Sequence, residues 1–151
     1  MVSVTEKADT KRVSVARATL TFMSPQTYPL IQEGRSKKGD VIGVARVAGI
    51  LAAKKTSEII PLCHPISITS IDIDFRFFGD GGESRSGVIV TAGVTAVAKS
   101  GLEMEAMVAV TVAGLTIYDM CKAVDKRMQI GKVQLIRKTG GRGEDFETGE
   151  N

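Results

Sequence analysis

The fold is decided by one run of sequence: ISITSIDIDFRFF at residues 66–78, GDGGESRSG at 79–87, VIVTAGVTAVA at 88–98, and SGLEMEAMVAVTVAGLTIYDMCKAVDK at 100–126. The first and third pieces alternate apolar and polar residues, the period of a half-buried strand, and the glycine-rich piece between them turns the chain back, so Ile66–Phe78 and Val88–Ala98 read as a hairpin. The fourth piece has helical character. Ser100 with Glu103 three positions on matches a capping box. No residue from Ala106 to Tyr118 carries a full charge, which predicts a helix buried nearly all round. Its polar ends leave it short of the about 20 apolar residues of a bilayer span, so it reads as a core helix.

Working outward, Val13–Phe22 alternates as a strand, and Ser24-Pro25 reads as cap and first residue of a short helix stopped by Gly34. Asp40 caps a second helix over Val41–Lys55. Thr56–Pro65 reads as a rigid loop, with Pro61 and Pro65 bracketing Leu62, Cys63 and His64. Ile130–Lys138 gives the last strand. Residues 1–12 read as an arm and 139–151 as a flexible tail of one domain covering 1–151. The order strand, two helices, strand, turn, strand, helix, strand is βαββαβ with one extra helix. It predicts an α+β, ferredoxin-like antiparallel sheet with helices on one face.

Composition narrows the function classes. A net charge of +3 suits an anionic small molecule, and five Phe, two Tyr and no Trp offer few platforms for stacking bases, so nucleic acid is not the expected partner. Cys63 and Cys121 have no metal-binding spacing, and one histidine argues against zinc, so no metal site is expected. The polar start MVSVTEKADTKRVSV is no signal peptide, which makes a cytoplasmic protein the expectation, or an organellar one in a eukaryote.

Ionisable residues sit at the two ends of the long helix, Glu103 and Glu105 at one, Asp119 and Lys122 at the other. At about 1.5 Å per residue, Glu105 and Asp119 lie roughly 21 Å apart along the axis. They cannot meet around one small ligand within a subunit, so a site that uses both ends requires an oligomer. The loop Arg35-Ser36-Lys37-Lys38-Gly39-Asp40, before a helix start, is either a solvated turn or an anion site suited to phosphate.

KKTSEIIPLCHP (54–65), GLEMEAM (101–107), LTIYDMCKAVDK (115–126), Lys37–Val41 and Lys138–Gly141 together resemble the cyclic pyranopterin monophosphate synthase family, the molybdenum-cofactor biosynthesis protein C type. The resemblance covers essentially the whole chain. It implies a lyase that converts 3',8-cyclo-7,8-dihydro-GTP to cyclic pyranopterin monophosphate with loss of pyrophosphate. It implies a homohexamer, a trimer of dimers with sites at the dimer interface, needing no cofactor beyond magnesium arriving with the triphosphate. It puts catalytic roles on Asp119, Lys122 and Lys38, and substrate contacts on Leu62, Cys63, His64, Met104 and Glu105. Glu103 and Arg35 join them as binding candidates. Asp119 and Lys122, at i and i+3, share a helical face, and in a desolvated cleft burial would lower the lysine pKa while the carboxylate stays ionised. Two segments depart from the family pattern: Ser3 stands where an aspartate is usual, and Arg142-Gly143 where Lys-Ser follows the glycine pair. The clustered Lys, His, Asp and Glu around rigid loops favour an enzyme, and Ser3 keeps open the competing reading, an inactive or regulatory nucleotide-binding oligomer of the same fold.

Overall fold

The computed structural model describes residues 1–80, 85–141 and 143–148. Residues 81–84 of the expected turn and the expectation on Arg142 fall outside them.

Among the described residues five strands form one antiparallel sheet, β1 (Thr10–Phe22), β2 (Ser70–Phe78), β3 (Ser86–Ala98), β4 (Gln129–Thr139) and β5 (Phe146–Glu147), in the order β2-β3-β1-β4-β5. The first four have the ferredoxin-like arrangement, with β1 central between β3 and β4. Strand β1 pairs with β3 without a break, from Thr10 opposite Ala98 to Phe22 opposite Ser86. Its register with β4 shifts twice, between Val15 and Ala16 and between Arg17 and Thr19. Lys132, in the shifted part of β4, takes the left-handed region at φ 48°, as bulged strands do.

Alternation decides which face is covered. Ala16, Ala18 and Leu20 of β1 and Val88, Val90, Ala92, Val94 and Ala96 of β3 are fully buried beneath two helices, α2 (Val41–Lys54) and α4 (Glu103–Cys121). Each fully buried Leu, Ile or Val there contributes about 1.5–3 kcal/mol. The helices approach closely at Gly49. A Cβ at that position would lie 2.5 Å from Ile73 Cδ1 and 2.9 Å from the Ala109 carbonyl oxygen.

Several boundaries differ from the sequence reading, each for a local reason. Ser24 does not cap a helix: its carbonyl accepts from the Thr27 N–H and its hydroxyl from the Gln26 N–H, and α1 begins only at Thr27, running to Gln32. Asp40 does cap α2, its Oδ1 accepting from the Gly43 N–H at 2.9 Å. Thr56–Ile59, read as loop, is one helical turn, α3. Ile66–Ile68 precede β2 as loop. The tail adds β5, paired through Phe146 and Glu147 with Lys138 and Arg137.

Helix α4 needs two corrections. The capping box does not form, since Leu102 is the N-cap and no side chain caps it, while the Glu103 carboxylate goes to Lys138. The helix is also not buried all round, because Leu115 is 51% exposed. By length and composition α4 could in fact cross a membrane, its most apolar 18-residue stretch having a mean hydropathy of 1.4, but 56% of that stretch is buried inside the domain. Packing between sheet and α2 makes it a core helix.

Candidate active site

At its C-terminal end α4 reaches a cleft of about 750 Å³ lined by Leu30, Arg35, Lys37, Lys38, Tyr118, Asp119, Met120, Cys121, Lys122, Val124 and Lys126. Two ammonium groups share one carboxylate. Lys38 Nζ lies 2.6 Å from Asp119 Oδ2 and also donates to the Asp119 carbonyl at 2.9 Å, while Lys122 Nζ lies 2.7 Å from Oδ1. The loop after α1 and the end of α4, distant in sequence, are joined by this triad. Hydrogen bonds from Lys122 and Lys38 hold the Asp119 carboxyl down at about 2. The expected lowering of the Lys122 pKa does not occur: the group is about half exposed and its hydrogen bond to Asp119 raises it. Burial, helped by the charge of Asp125, pushes the neighbouring Cys121 thiol up to about 11, so it stays protonated. Arg35 lines the cleft with its guanidinium on Glu33 at 2.6 Å.

The N-terminal end of α4 holds a different set. Glu105 is 4% exposed, and burial, with the charge of Glu103, raises its pKa. Cys63 lies near it, its thiol raised by burial and then by the Glu105 charge. For Glu103, burial pushes upward but is outweighed by the hydrogen bond from Lys138 at 2.7 Å, by its own backbone N–H and by the charges of Lys138 and Arg12, and its pKa is lowered. Met104 is partly buried and Leu62 is 70% exposed. His64 lines a separate cavity of about 350 Å³ with Val4, Asp9, Lys99 and Ser100.

Thus Asp119, Lys122, Lys38 and Arg35 come together at one end, and Cys63, Glu103 and Glu105 gather at the other. The single chain does not join the two sets: fourteen helical residues, about 21 Å of rise, separate Glu105 from Asp119. Among the described residues no group of three or more His, Cys, Asp or Glu is placed to hold a metal ion.

Sequence reasoning missed Leu30, Val124 and Lys126 in the cleft, and it missed Arg12. Read as the end of an arm, Arg12 is 9% exposed and donates to the carbonyls of Ala98, Lys99 and Gly140 at 3.3, 3.4 and 3.1 Å. The signal was its phase, since Arg12 alternates with Ser14, Ala16 and Ala18 on the helix-covered face. It seats the turn at Gly140, whose φ of 89° brings its α-carbon against the Lys11 carbonyl, where a Cβ would lie 2.1 Å away.

A family model described as the MoaC family matches residues 1–141. This chain belongs to the MoaC family. Its relatives include the cyclic pyranopterin monophosphate synthases of Brevibacillus brevis, 53% identical over 150 residues that are 99% of this chain and 90% of the relative, and of Listeria innocua, 52% identical over 97% and 88%. That of Thermomicrobium roseum is 51% identical over 94% and 82%. In this MoaC-family chain, both sets of ionisable residues at the ends of α4 lie within the matched region.

Proposed function

We propose that this chain is a cyclic pyranopterin monophosphate synthase of molybdenum-cofactor biosynthesis, and that it acts on the cyclised dihydro-GTP intermediate at the Asp119 cleft. The family membership and the named relatives support the activity. The observation that carries the site is the carboxylate shared by Lys38 and Lys122, beside Lys37, Lys126 and Arg35. A concentration of cations around one cleft suits a triphosphate.

A carboxylate held near 2 is too weak a base for efficient proton transfer near neutral pH. The two lysines therefore mask it in the free protein. An incoming triphosphate offers them a stronger partner, and as they turn to the phosphate oxygens Asp119 regains basicity. It can then accept the proton of the sugar hydroxyl that attacks the innermost phosphorus. The new O–P bond forms as the bond to pyrophosphate breaks, and the ammonium groups balance the charge on the departing group. No resident cofactor is needed in this scheme, and magnesium would arrive with the triphosphate as part of the substrate.

The purine end of the substrate needs groups that this end of α4 lacks. In our reading they come from the Glu105, Cys63 and His64 end of a second copy, in a dimer that repeats into a hexamer. Val44, Val47 and Leu51 along α2 and Leu115 on α4 are 45 to 58% exposed, an apolar outer surface on the helix layer that a second copy would cover. The free thiols of Cys63 and Cys121 suit a reducing cytoplasm.

The test is turnover: purified protein with the cyclised intermediate, following pyrophosphate and pterin product together, beside Asp119→Asn. Product from the native chain and none from the variant is expected. An oligomer that binds the intermediate but releases no pyrophosphate would favour the regulatory reading, and Ser3→Asp would then be assayed for gain of activity.

A further inference from the structure

Behind the cleft lies a carboxylate that the proposed chemistry does not use. Asp125 is 3% exposed. Its Oδ2 accepts from the backbone N–H of Met23 at 2.7 Å and of Ser24 at 3.0 Å, and from the Thr27 hydroxyl at 3.2 Å. Its Oδ1 accepts from the Arg127 N–H at 3.2 Å. Two further bonds brace the same turn: the Arg127 guanidinium donates to the Met23 carbonyl at 3.3 Å, and the Tyr118 hydroxyl to the Lys126 carbonyl at 3.1 Å. The Asp125 and Val124 N–H groups return to the Cys121 carbonyl.

These bonds tie together the two supports of the cleft. One support is the turn after α4, which carries Lys122, Val124 and Lys126. The other is the turn before α1, which leads through Leu30 to Arg35, Lys37 and Lys38. They are 102 positions apart in sequence. The Lys38 to Asp119 contact joins the same walls at the mouth, but both its partners are about half exposed, so it is open to exchange with a ligand. Asp125 is not. A buried carboxylate loses solvation that an apolar side chain would not. What it supplies instead is direction, since four donors in fixed positions hold one spacing.

We propose that Asp125 is a positioning residue that sets the gap between the two basic walls of the cleft, and thereby its fit to a polyphosphate. This rests on the cleft being the triphosphate site.

Pyrophosphate affinity and steady-state kinetics of the full chain test it, with Asp125→Ala, Asp125→Asn and Thr27→Val beside the native protein. Misplacing one wall in Asp125→Ala is expected to weaken pyrophosphate binding and raise KM about tenfold, with kcat within about threefold. Asp125→Asn keeps an oxygen for Met23, Ser24 and Thr27 and should restore most of that loss. Thr27→Val removes a single donor and should raise KM about threefold. If the alanine variant does not fold, the other two decide. Native pyrophosphate affinity and KM in the variants that fold would overturn the inference while leaving the cleft as the phosphate site. So would a loss confined to the fraction of active protein, with KM unchanged, since a merely structural residue behaves that way. A native protein that does not bind pyrophosphate would overturn the phosphate-site reading and this inference with it.

Discussion

The two ends of α4 hold carboxylates in opposite conditions. Asp119 is about half exposed between two ammonium groups and its pKa is held at about 2, whereas Glu105 is 4% exposed and burial raises its pKa. One helix thus presents a strong acid's anion at one end and a weakened acid at the other, using pairing for the first and desolvation for the second. A reaction with several proton transfers can use such a contrast, because groups whose surroundings push their pKa values apart divide the acid and base roles.

The largest expected effect comes from removing the paired end. Asp119→Asn should lower kcat by about 10²- to 10⁴-fold with the fold intact, read as pyrophosphate release. A smaller loss than in Glu105→Gln would reverse the assignment of roles. Next is a mixing experiment. If each site takes one end from each of two copies, coexpressing Asp119→Asn with Glu105→Gln, both inactive alone, should recover about a quarter of native activity through mixed dimers carrying one intact site. No recovery, with mixed oligomers verified by mass spectrometry, would confine each site to one chain.

Gly49→Ala attacks the scaffold that both ends share. A methyl group there meets Ile73 and the Ala109 backbone, and a loss of about 1–3 kcal/mol in urea unfolding is expected. The pH dependence of stability sharpens the contrast further, because its sign differs between the ends. Glu105 has a folded pKa above its ordinary 4.5, so the folded state holds its proton longer and stability falls as pH rises through that window. Glu105→Gln should flatten this decline. Asp119, lowered from 3.8 to about 2, contributes stability above pH 3.8 that is lost as pH falls toward 2, and Asp119→Asn should flatten that side. The smallest effect is expected from Arg35→Ala. Its guanidinium is exposed and already paired with Glu33, so KM should rise only about two- to threefold.

The sheet and its covered face were legible because alternation in β1, β2 and β3 is strong, and strand pairing follows from which face must be buried. The helix start at Ser100 was misread for a reason that lies in tertiary structure: Lys138, on the neighbouring β4, takes the Glu103 carboxylate that a capping box would use. Likewise Ser24 reads locally as a cap, but its hydroxyl and carbonyl close a turn onto Gln26 and Thr27 that Asp125, 101 positions on, holds by the Ser24 N–H. In the candidate site, Asp119, Lys122 and Lys38 could be named through the motifs that carry the family resemblance. That Lys38 would touch both the side chain and the carbonyl of Asp119 could not, since 81 positions separate them. The Lys122 expectation failed because spacing says which residues are neighbours and nothing about how much water reaches them.

The central place of β1 also bears on the order in which the protein can be built. β1 is synthesised before the other strands of the sheet, yet one of its edges is filled by β3 and the other only by β4, more than 100 residues later in the sequence. Until residues 129–139 have been synthesised, the nascent sheet presents the open edge of its central strand, the kind of edge that recruits a wrong partner. A ribosome-bound chain stopped within α4 should therefore be a better chaperone client than one released after Thr139.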